Sequence, residues 1–349
     1  MHDSTRVRDA RLAAREAARH AGLADDRVAT AELVATELAT NLLKHAGGGR
    51  VLLDLVGPSV PAHGDERILL VQIMAIDHGP GMPDTAAALR DGFSTAASLG
   101  AGLGTCRRIA DDFALHSTPG RGTTVMARIA PHRDRDTADP HSEPPPVRAG
   151  GVNMPLAGGE FSGDAWACVR TADRVTLLLA DGLGHGPQAA RASSAAVAVL
   201  RSVPHLPPAD LLRRMHTVLR DTRGAAVAVA QLDVAAAKLH FAGVGNIGAR
   251  LRDGDHWQGL VSFPGIVGAH LPARLPQHQE RWTHDSLLVL HSDGLPSRWS
   301  PGPAVETPSS LDPAVIAASI VRDASSPARP VRDDTAVAVL GPRPPDRLS

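Results

Sequence analysis

The chain has 349 residues and a nearly balanced charge, with 36 Lys and Arg against 37 Asp and Glu and a formal net charge of −1. This balance predicts no broad basic face, which argues against nucleic-acid binding. The two cysteines have no nearby partner for a disulfide or a metal knuckle, as is typical of a reducing cytoplasm. The N-terminus is charged and unlike a signal peptide, and the sequence has no apolar run of membrane-spanning length. We therefore expect a cytoplasmic protein that binds neither nucleic acid nor membrane.

Composition divides the chain into two domains joined by a linker. Residues 131–149 have almost no apolar side chains, alternate in charge and contain a proline run, so they cannot nucleate a core. The predicted domains cover residues 1–130 and 150–341, and a short polar tail covers residues 342–349. The chain is long enough for two cores of ordinary domain size.

The first candidate site begins on a helix predicted at residues 30–46. Apolar residues recur there at three- and four-residue spacing, and Glu37 and Asn41 lie one turn apart on the opposite side. Asn41 offers a neutral oxygen that suits Mg²⁺, which usually takes its remaining ligands from water and phosphates. Glu37 is placed to act as a general base on an incoming hydroxyl.

A buried strand predicted at residues 68–76 ends in a second candidate group. Asp77 follows this continuous apolar run, where its carboxylate can accept a hydrogen bond from the exocyclic amine of a purine. Gly79 and Gly81 come next, and their lack of side chains lets the backbone approach a flat ring closely. The pattern indicates a pocket for a purine base.

A second glycine cluster follows. Gly102 and Gly104 lead into a helix predicted at residues 105–113, whose first free N–H groups would favour anionic phosphates. Residues 91–99, between the two glycine clusters, are predicted to form a mobile lid. Each glycine motif alone is more often a turn, but the ordered set predicts ATP binding.

In this order, the motifs of residues 5–130 resemble the GHKL family of ATP-binding domains, and more closely the RsbT type of switch-protein serine kinase. The resemblance implies helices on one face of a mixed, mostly antiparallel sheet around ATP and Mg²⁺. One departure is that little room remains before Thr5 for the strand that usually opens such a domain. The roles implied by the resemblance are catalytic base for Glu37, Mg²⁺ ligand for Asn41, adenine contact for Asp77, support beneath the base for Gly79 and Gly81, phosphate contact for Gly102 and Gly104, and closure of the adenine site for Thr123.

Four acids of the second half form another candidate site: Asp164, Asp181, Asp293 and Asp334. Three of them lie at the ends of predicted strands, which lets carboxylates from distant parts of the chain meet at one edge of a sheet. Such carboxylates raise one another's pKa unless a multivalent cation neutralises them. Hard oxygen ligands favour Mn²⁺ or Mg²⁺ over zinc, and a pair of such ions can activate water against a phosphoryl group.

The second half, over residues 150–341, resembles the metal-dependent PP2C-type serine/threonine phosphatases of the SpoIIE branch, closest to the compact RsbX type. The implied fold is an α-β-β-α sandwich, so the whole chain is predicted to be α/β (α+β). The resemblance implies that Asp181 bridges two Mn²⁺ or Mg²⁺ ions with help from the Gly182 carbonyl, that Asp164 holds one ion, and that Asp293 and Asp334 hold the other. Larger relatives often read Gly-Gly-Asp where this chain has Ser162, Gly163 and Asp164, so the ligand is retained but the loop differs.

Two opposed activities in one chain predict a reversible switch. The first domain would phosphorylate a Ser or Thr of a partner, and the second would act as a phosphoserine or phosphothreonine phosphatase. The two resemblances imply STAS-domain antagonists or stressosome-like proteins as partners. One alternative is a phosphatase whose N-terminal domain only binds nucleotide and captures a sigma-factor regulator, and another is a scaffold without catalysis.

Overall fold

The computed structural model describes residues 4–57, 69–89, 102–131, 147–156, 161–296, 299–306, 310–326, 331 and 333–343. The predicted lid at residues 91–99 and most of the predicted linker lie outside these ranges. The N-terminal elements are α1 (Ser4–His20), α2 (Asp25–Ala46), β1 (Arg50–Val56), β2 (Leu70–Ile76), α3 (Thr85–Ala88), α4 (Leu103–Ile109), β3 (Asp112–Thr118) and β4 (Gly122–Ile129). The C-terminal elements are β5 (Val147–Met154), β6 (Asp164–Arg170), β7 (Arg174–Gly182), α5 (Pro187–Ser202), α6 (Pro208–Val218), β8 (Ala225–Asp233), β9 (Lys238–Val244), β10 (Gly248–Asp253), β11 (His256–Leu260), β12 (His278–Arg281), β13 (Leu287–His291), α7 (Pro313–Ala324) and β14 (Thr335–Pro342).

The N-terminal sheet has the strand order β1-β2-β4-β3, with α1 and α2 against one face. Every pair of its described strands is antiparallel, whereas a mixed sheet was predicted. In the described part of the chain no strand precedes β1, in keeping with the short N-terminus. Helix α2 has Asp25 and Asp26 in its first turn and ends at Gly47, whose φ of 68° is the left-handed conformation typical of a glycine cap.

The helix predicted at residues 105–113 was wrong beyond Ile109. Ala110 is extended, with φ −74° and ψ 153°, and the chain then enters β3, where Phe113 pairs with Ala127 of β4. An ion pair between Arg27 and Asp111 ties this corner to α2. The ladder with β4 is a long-range interaction that the local apolar pattern does not reveal.

The C-terminal half contains two stacked five-stranded sheets, which confirms the predicted α-β-β-α sandwich. The strand orders are β11-β10-β13-β14-β5 and β12-β9-β8-β7-β6, and an apolar core that includes Leu177, Phe241 and Leu288 lies between the sheets. Helices α5 and α6 cover the outer face of the second sheet, and α7 covers the first. Strand β5 begins at Val147, within the range predicted as linker. No helix within the described ranges has the length and apolar character needed to cross a membrane.

Helix α7 also packs against the N-terminal sheet, on the face opposite α1 and α2. Successive residues of β2 point to opposite faces. Ile73 and Ala75 therefore join the core beneath α1 and α2, while Met74 and Ile76 join a cluster with the apolar side chains of α7. This burial on both faces explains why β2 is apolar apart from Gln72. The two domains share one core through α7.

Candidate active sites

The polar side of α2 carries the first pair of predicted site residues. Glu37 and Asn41 are both partly buried. Burial raises the pKa of Glu37 above its ordinary value, and the nearby Lys44 cation acts in the opposite direction. Helix α2 packs against α4, and the Glu37 carboxylate lies close enough to Cys106 to help burial raise the pKa of that thiol to about 12. Glu37 thus lies beside the helix that begins at the second glycine cluster.

Asp77 lies at the end of β2, held against β4. Its backbone N–H donates to Thr123 O at 3.0 Å, and its Oδ1 accepts from Gly79 N at 2.8 Å and Thr123 N at 3.1 Å. Burial raises the pKa of Asp77, whereas these two hydrogen bonds and the Arg322 and His78 side chains lower it. Within the described ranges its Oδ2 accepts no hydrogen bond, which leaves an oxygen for the amine of a purine.

The predicted glycines surround this acid. A Cβ at Gly79 would lie 2.7 Å from the Cβ of Ala46, at the end of α2. Gly81 has a φ of 69°, and a Cβ there would overlap the carbonyl of Thr118, so no other residue fits without movement. Gly102 immediately precedes α4, and Gly104 is buried in its first turn. The structure therefore brings the glycines, α2 and Asp77 to one end of the N-terminal domain.

Ser117 is a residue of the first candidate site that the sequence did not reveal. Its Oγ lies 2.9 Å from the Thr123 hydroxyl and accepts from Met82 N at 2.7 Å. Ser117 thus connects the strand carrying Thr123 to the loop that follows Gly81. Its importance depends on the pairing of Ser117 with Thr123 across β3 and β4. Only that register identifies it.

The second site is built on a direct cross-strand pair of acids. Asp164 is the first residue of β6, and Asp181 lies opposite it on β7. Burial, followed by the Asp181 carboxyl, raises the pKa of Asp164 to about 8. Burial, followed by Asp293, raises the pKa of Asp181 to about 7. The strand ends thus bring acidic groups together, as their positions in the sequence predict.

Two polar side chains orient these acids. Ser292 Oγ donates to Asp164 Oδ2 at 2.6 Å and accepts from Ala336 N at 2.9 Å. Asn246 Nδ2 donates to Asp293 Oδ2 at 2.7 Å. Ser292 had no role predicted from the sequence, and its short distance to Asp164 now indicates that it orients this carboxylate.

The adjacent acids Asp333 and Asp334 differ in their surroundings. Asp334 Oδ1 accepts from Leu156 N, and its Oδ2 accepts from Gly163 N, both at 2.7 Å. Both acids contribute to the raised pKa of Asp181, and Asp333 also raises the pKa of Asp293. Asp333 is therefore a candidate ligand that the sequence reasoning did not select.

The chemistry of these donors fits a divalent cation. In the described ranges no group of three or more His, Cys, Asp or Glu side chains is arranged to hold a metal ion as it stands. Asp164 and Asp181 instead lie opposite each other with raised pKa values, which favours a proton on one of the pair. A bound cation would relieve the repulsion between these carboxylates.

Comparison with known proteins associates each half with a family. Residues 2–129 match the family described as histidine kinase-like ATPase domain, and residues 171–342 match the family described as stage II sporulation protein E (SpoIIE). Over 118 residues the chain is 36% identical to the serine/threonine-protein kinase RsbT of Bacillus subtilis (strain 168), covering 34% of this chain and 84% of that protein.

Similar solved structures include RsbX and a domain of SpoIIE. RsbX in complex with magnesium has a TM-score of 0.49 and 17% identity, over 57% of this chain and 96% of that chain. The PP2C phosphatase domain of SpoIIE from Bacillus subtilis, with a fragment of its regulatory domain, has a TM-score of 0.47 and 15% identity, over 82% of this chain and 83% of that chain.

Proposed function

Because the chain belongs to the RsbT-type family of ATPase-like kinase domains and carries a SpoIIE/PP2C-type phosphatase domain after it, we propose that it is a bifunctional switch regulator. The N-terminal domain, residues 1–130, transfers phosphate from ATP to a Ser or Thr of a protein partner. The C-terminal domain, residues 150–341, removes phosphate from Ser or Thr. The proposed linker covers residues 131–149, although 147–149 already belong to β5, and the proposed tail covers residues 342–349, of which Pro342 ends β14.

The observation that carries the proposal is the pairing of Asp164 with Asp181. Asp164 is buried and Asp181 lies half-buried opposite it, and their pKa values are raised to about 8 and about 7, so the pair costs free energy unless a cation is bound. Perturbed acids of this kind are concentrated at functional sites. Divalent cation binding is the purpose that best fits acids at the ends of strands.

In this proposal the phosphatase domain holds two Mn²⁺ or Mg²⁺ ions. Bound there, the ions supply an activated water and neutralise charge on the phosphoryl group. Ser292 keeps Asp164 in position, and Asn246 keeps Asp293 in position, which lowers the cost of orienting the ligands. The proposed ligands are Asp164, Asp181, the Gly182 carbonyl, Asp293 and Asp334, with Asp333 added from its position beside Asp181 and Asp293.

In the kinase domain Glu37 accepts the proton of the partner's hydroxyl as that oxygen attacks the γ-phosphorus of ATP and ADP leaves. Asn41 holds the Mg²⁺ that accompanies the phosphates. Asp77 accepts a hydrogen bond from the adenine amine through Oδ2. The remaining contacts are proposed for Gly79 and Gly81 beneath the base, Gly102 and Gly104 at the phosphates, and Thr123 at the adenine edge.

The proposed partner is a STAS-domain antagonist or a stressosome-like protein, which follows from the resemblance to the RsbT type. A sigma-factor regulator is the alternative partner. Phosphorylation and dephosphorylation of the same site would waste ATP if both ran freely. The proposal therefore includes a regulation that keeps the kinase or the phosphatase activity low while the other proceeds.

The test is the intact mass of a STAS-domain protein encoded near this gene. It is incubated with ATP, Mg²⁺ and the Asp181→Asn variant, so that the phosphatase cannot erase the kinase product. The expected result is the addition of one phosphate, no addition with an Asp181→Asn and Glu37→Gln double variant, and removal of the phosphate by wild-type protein with Mn²⁺.

Two other outcomes contradict the bifunctional proposal. If no phosphate is added although ATP binds and the partner is captured, the N-terminal domain is a binding module and the phosphatase alone is the enzyme. If neither phosphate addition nor removal occurs with any candidate partner or a generic phosphoester, the protein acts as a scaffold.

A further inference from the structure

The C-terminal end of α7 lies against the two strand ends that carry the nucleotide-site residues. Arg322 of α7 is fully buried, and its Nη1 donates to Gly122 O at 3.2 Å. His78, which follows Asp77, donates from Nε2 to Arg322 O at 2.9 Å and lies 3.1 Å from Ser325 O. One residue of the phosphatase domain therefore holds both sides of the proposed adenine site.

The contact made by Arg322 reaches Asp77 through the backbone. Gly122 has a φ of 99°, and a Cβ there would overlap the Asp77 carbonyl, so the two backbones lie in direct contact. The next residue, Thr123, donates its N–H to Asp77 Oδ1. A shift of Gly122 would therefore move the donor that orients the Asp77 carboxylate.

The Arg322 cation also acts on Asp77 directly. It lies close enough to lower the pKa of Asp77, against the effect of burial. Its Nε donates to Asp323 Oδ1 at 2.9 Å, while its Nη2 is buried and makes no hydrogen bond in the described ranges. A buried donor without a partner costs free energy. The guanidinium is therefore held in this position by its contacts with Gly122 and Asp323 and not by full satisfaction of its own hydrogen bonds.

We propose that Arg322 of the phosphatase domain is a positioning residue for the nucleotide site of the kinase domain, where it holds the Asp77 carboxylate in the orientation that recognises adenine. The proposal rests on the proposed function of the N-terminal domain. It means that base selection by one enzyme depends on a side chain supplied by the other. The kinase domain is thereby incomplete without α7.

The test compares ADP with IDP, which carries a carbonyl in place of the adenine amine. Affinities of the full-length protein for both nucleotides with Mg²⁺ are measured by calorimetry for the wild type, Arg322→Met and Arg322→Lys. Wild type should prefer ADP by about tenfold or more, because a carbonyl facing the Asp77 oxygen loses a hydrogen bond. Arg322→Met should reduce this preference to about threefold or less with little change in IDP affinity, and Arg322→Lys should restore much of it.

Ser319→Ala is the matched control. Ser319 lies on the same helix and bonds Thr124 at 2.9 Å, so this variant disturbs the same interface without touching Gly122 or Asp77. It should keep the full preference for ADP. If the substitutions only loosened the fold, Arg322→Met and Ser319→Ala would each lower the affinities for ADP and for IDP. Loss of positioning in Arg322→Met lowers only the affinity for ADP.

His78→Ala provides a second variant at an exposed position, in case Arg322→Met does not fold. It removes the other contact with α7 and should also reduce the preference for ADP. The proposal is overturned if a folded Arg322→Met keeps the wild-type preference for ADP, or if His78→Ala keeps it when Arg322→Met does not fold. It is also overturned if these variants weaken the binding of ADP and of IDP equally. If the wild type itself binds neither nucleotide, the proposed function of the domain fails first and this inference fails with it.

Discussion

Arg128 of the N-terminal sheet and Asp312 at the start of α7 form a buried bidentate ion pair between the domains. Nη1 lies 3.1 Å from Oδ2, and Nη2 lies 3.1 Å from Oδ1. Burial opposes the charge on Arg128, but Asp312 and Asp112 outweigh it, so the pKa of Arg128 is raised. The pair joins the two domains at one end of α7, and Arg322 joins them at the other.

We expect Asp312→Asn to destabilise the protein by about 3 kcal/mol, because it leaves a buried guanidinium short of its main counter-charge. Asp312 also caps α7 by accepting from Ala314 N, and Asn preserves that cap, so the variant isolates the charge. Denaturant unfolding followed by circular dichroism measures the change. Asp210→Asn, which breaks an exposed pair with Arg213, should cost less than about 1 kcal/mol. Similar losses in the two variants would contradict the prediction.

Asp54 of β1 should make stability depend on pH. Burial raises its pKa to about 7, despite a hydrogen bond from the Asn153 backbone, and its Oδ2 is shielded from solvent. Since the folded protein binds this proton more tightly than the unfolded chain, stability falls as the pH rises from about 4 to about 7 and then levels off. The Asp54→Asn variant has no charge at this position. Its free energy of unfolding should exceed that of the wild type by on the order of 2–4 kcal/mol at pH 8 but by little at pH 4.

The measurement is the free energy of unfolding of wild type and Asp54→Asn across this pH range. Asp9→Asn, on the exposed surface of α1, removes the same charge and should show no such trend. A difference between wild type and Asp54→Asn that stays constant with pH would mean that Asp54 is ionised in the folded protein at a lower pH than the structure indicates.

Much of the fold could be predicted from local patterns. Helix α5 begins at Pro187, whose fixed φ suits the first turn, and it ends at Ser202. The acids Asp164 and Asp181 could be expected to meet because each is next to glycine, Asp164 at the start of β6 and Asp181 near the end of the apolar strand β7. These features depend only on residues that are close in the sequence, so they can be predicted from it.

The interface between the domains could not be predicted in this way. The apolar sequence of β2, interrupted only by Gln72, indicated burial on both faces, but Met74 and Ile76 reach α7 more than 200 residues further along the chain. Asp333 and Asp334 are neighbours just before β14, and nothing local says which of them accepts the backbone hydrogen bonds from Leu156 and Gly163. Register and long-range packing decide both points.

The rate of phosphoryl transfer should depend on Lys44 through Glu37. Glu37 must be ionised to accept a proton, so activity rises as the pH passes its pKa, which burial raises and Lys44 lowers. Lys44→Met removes the lowering cation and should move the acid limb of the kcat profile to higher pH. Lys238→Met, in β9 of the other domain, is the control and should leave the limb in place. An acid limb that stays in place or moves to lower pH in Lys44→Met would contradict Glu37 as the base.

Asp333→Asn and Asp334→Asn should separate metal binding from loop structure. Asp333 lies with Asp181 and Asp293, so Asp333→Asn should raise the Mn²⁺ concentration needed for half-maximal phosphatase activity by about 10- to 100-fold with little change in stability. Asp334 accepts from two backbone N–H groups, and Asn can satisfy only one of them well, so Asp334→Asn should lose about 1–3 kcal/mol of stability. Hydrolysis of a generic phosphoester against Mn²⁺ concentration and urea unfolding measure the two effects. An unchanged Mn²⁺ requirement in Asp333→Asn would remove Asp333 from the proposed ligands, and unchanged stability in Asp334→Asn would mean that its two hydrogen bonds do not hold the loop.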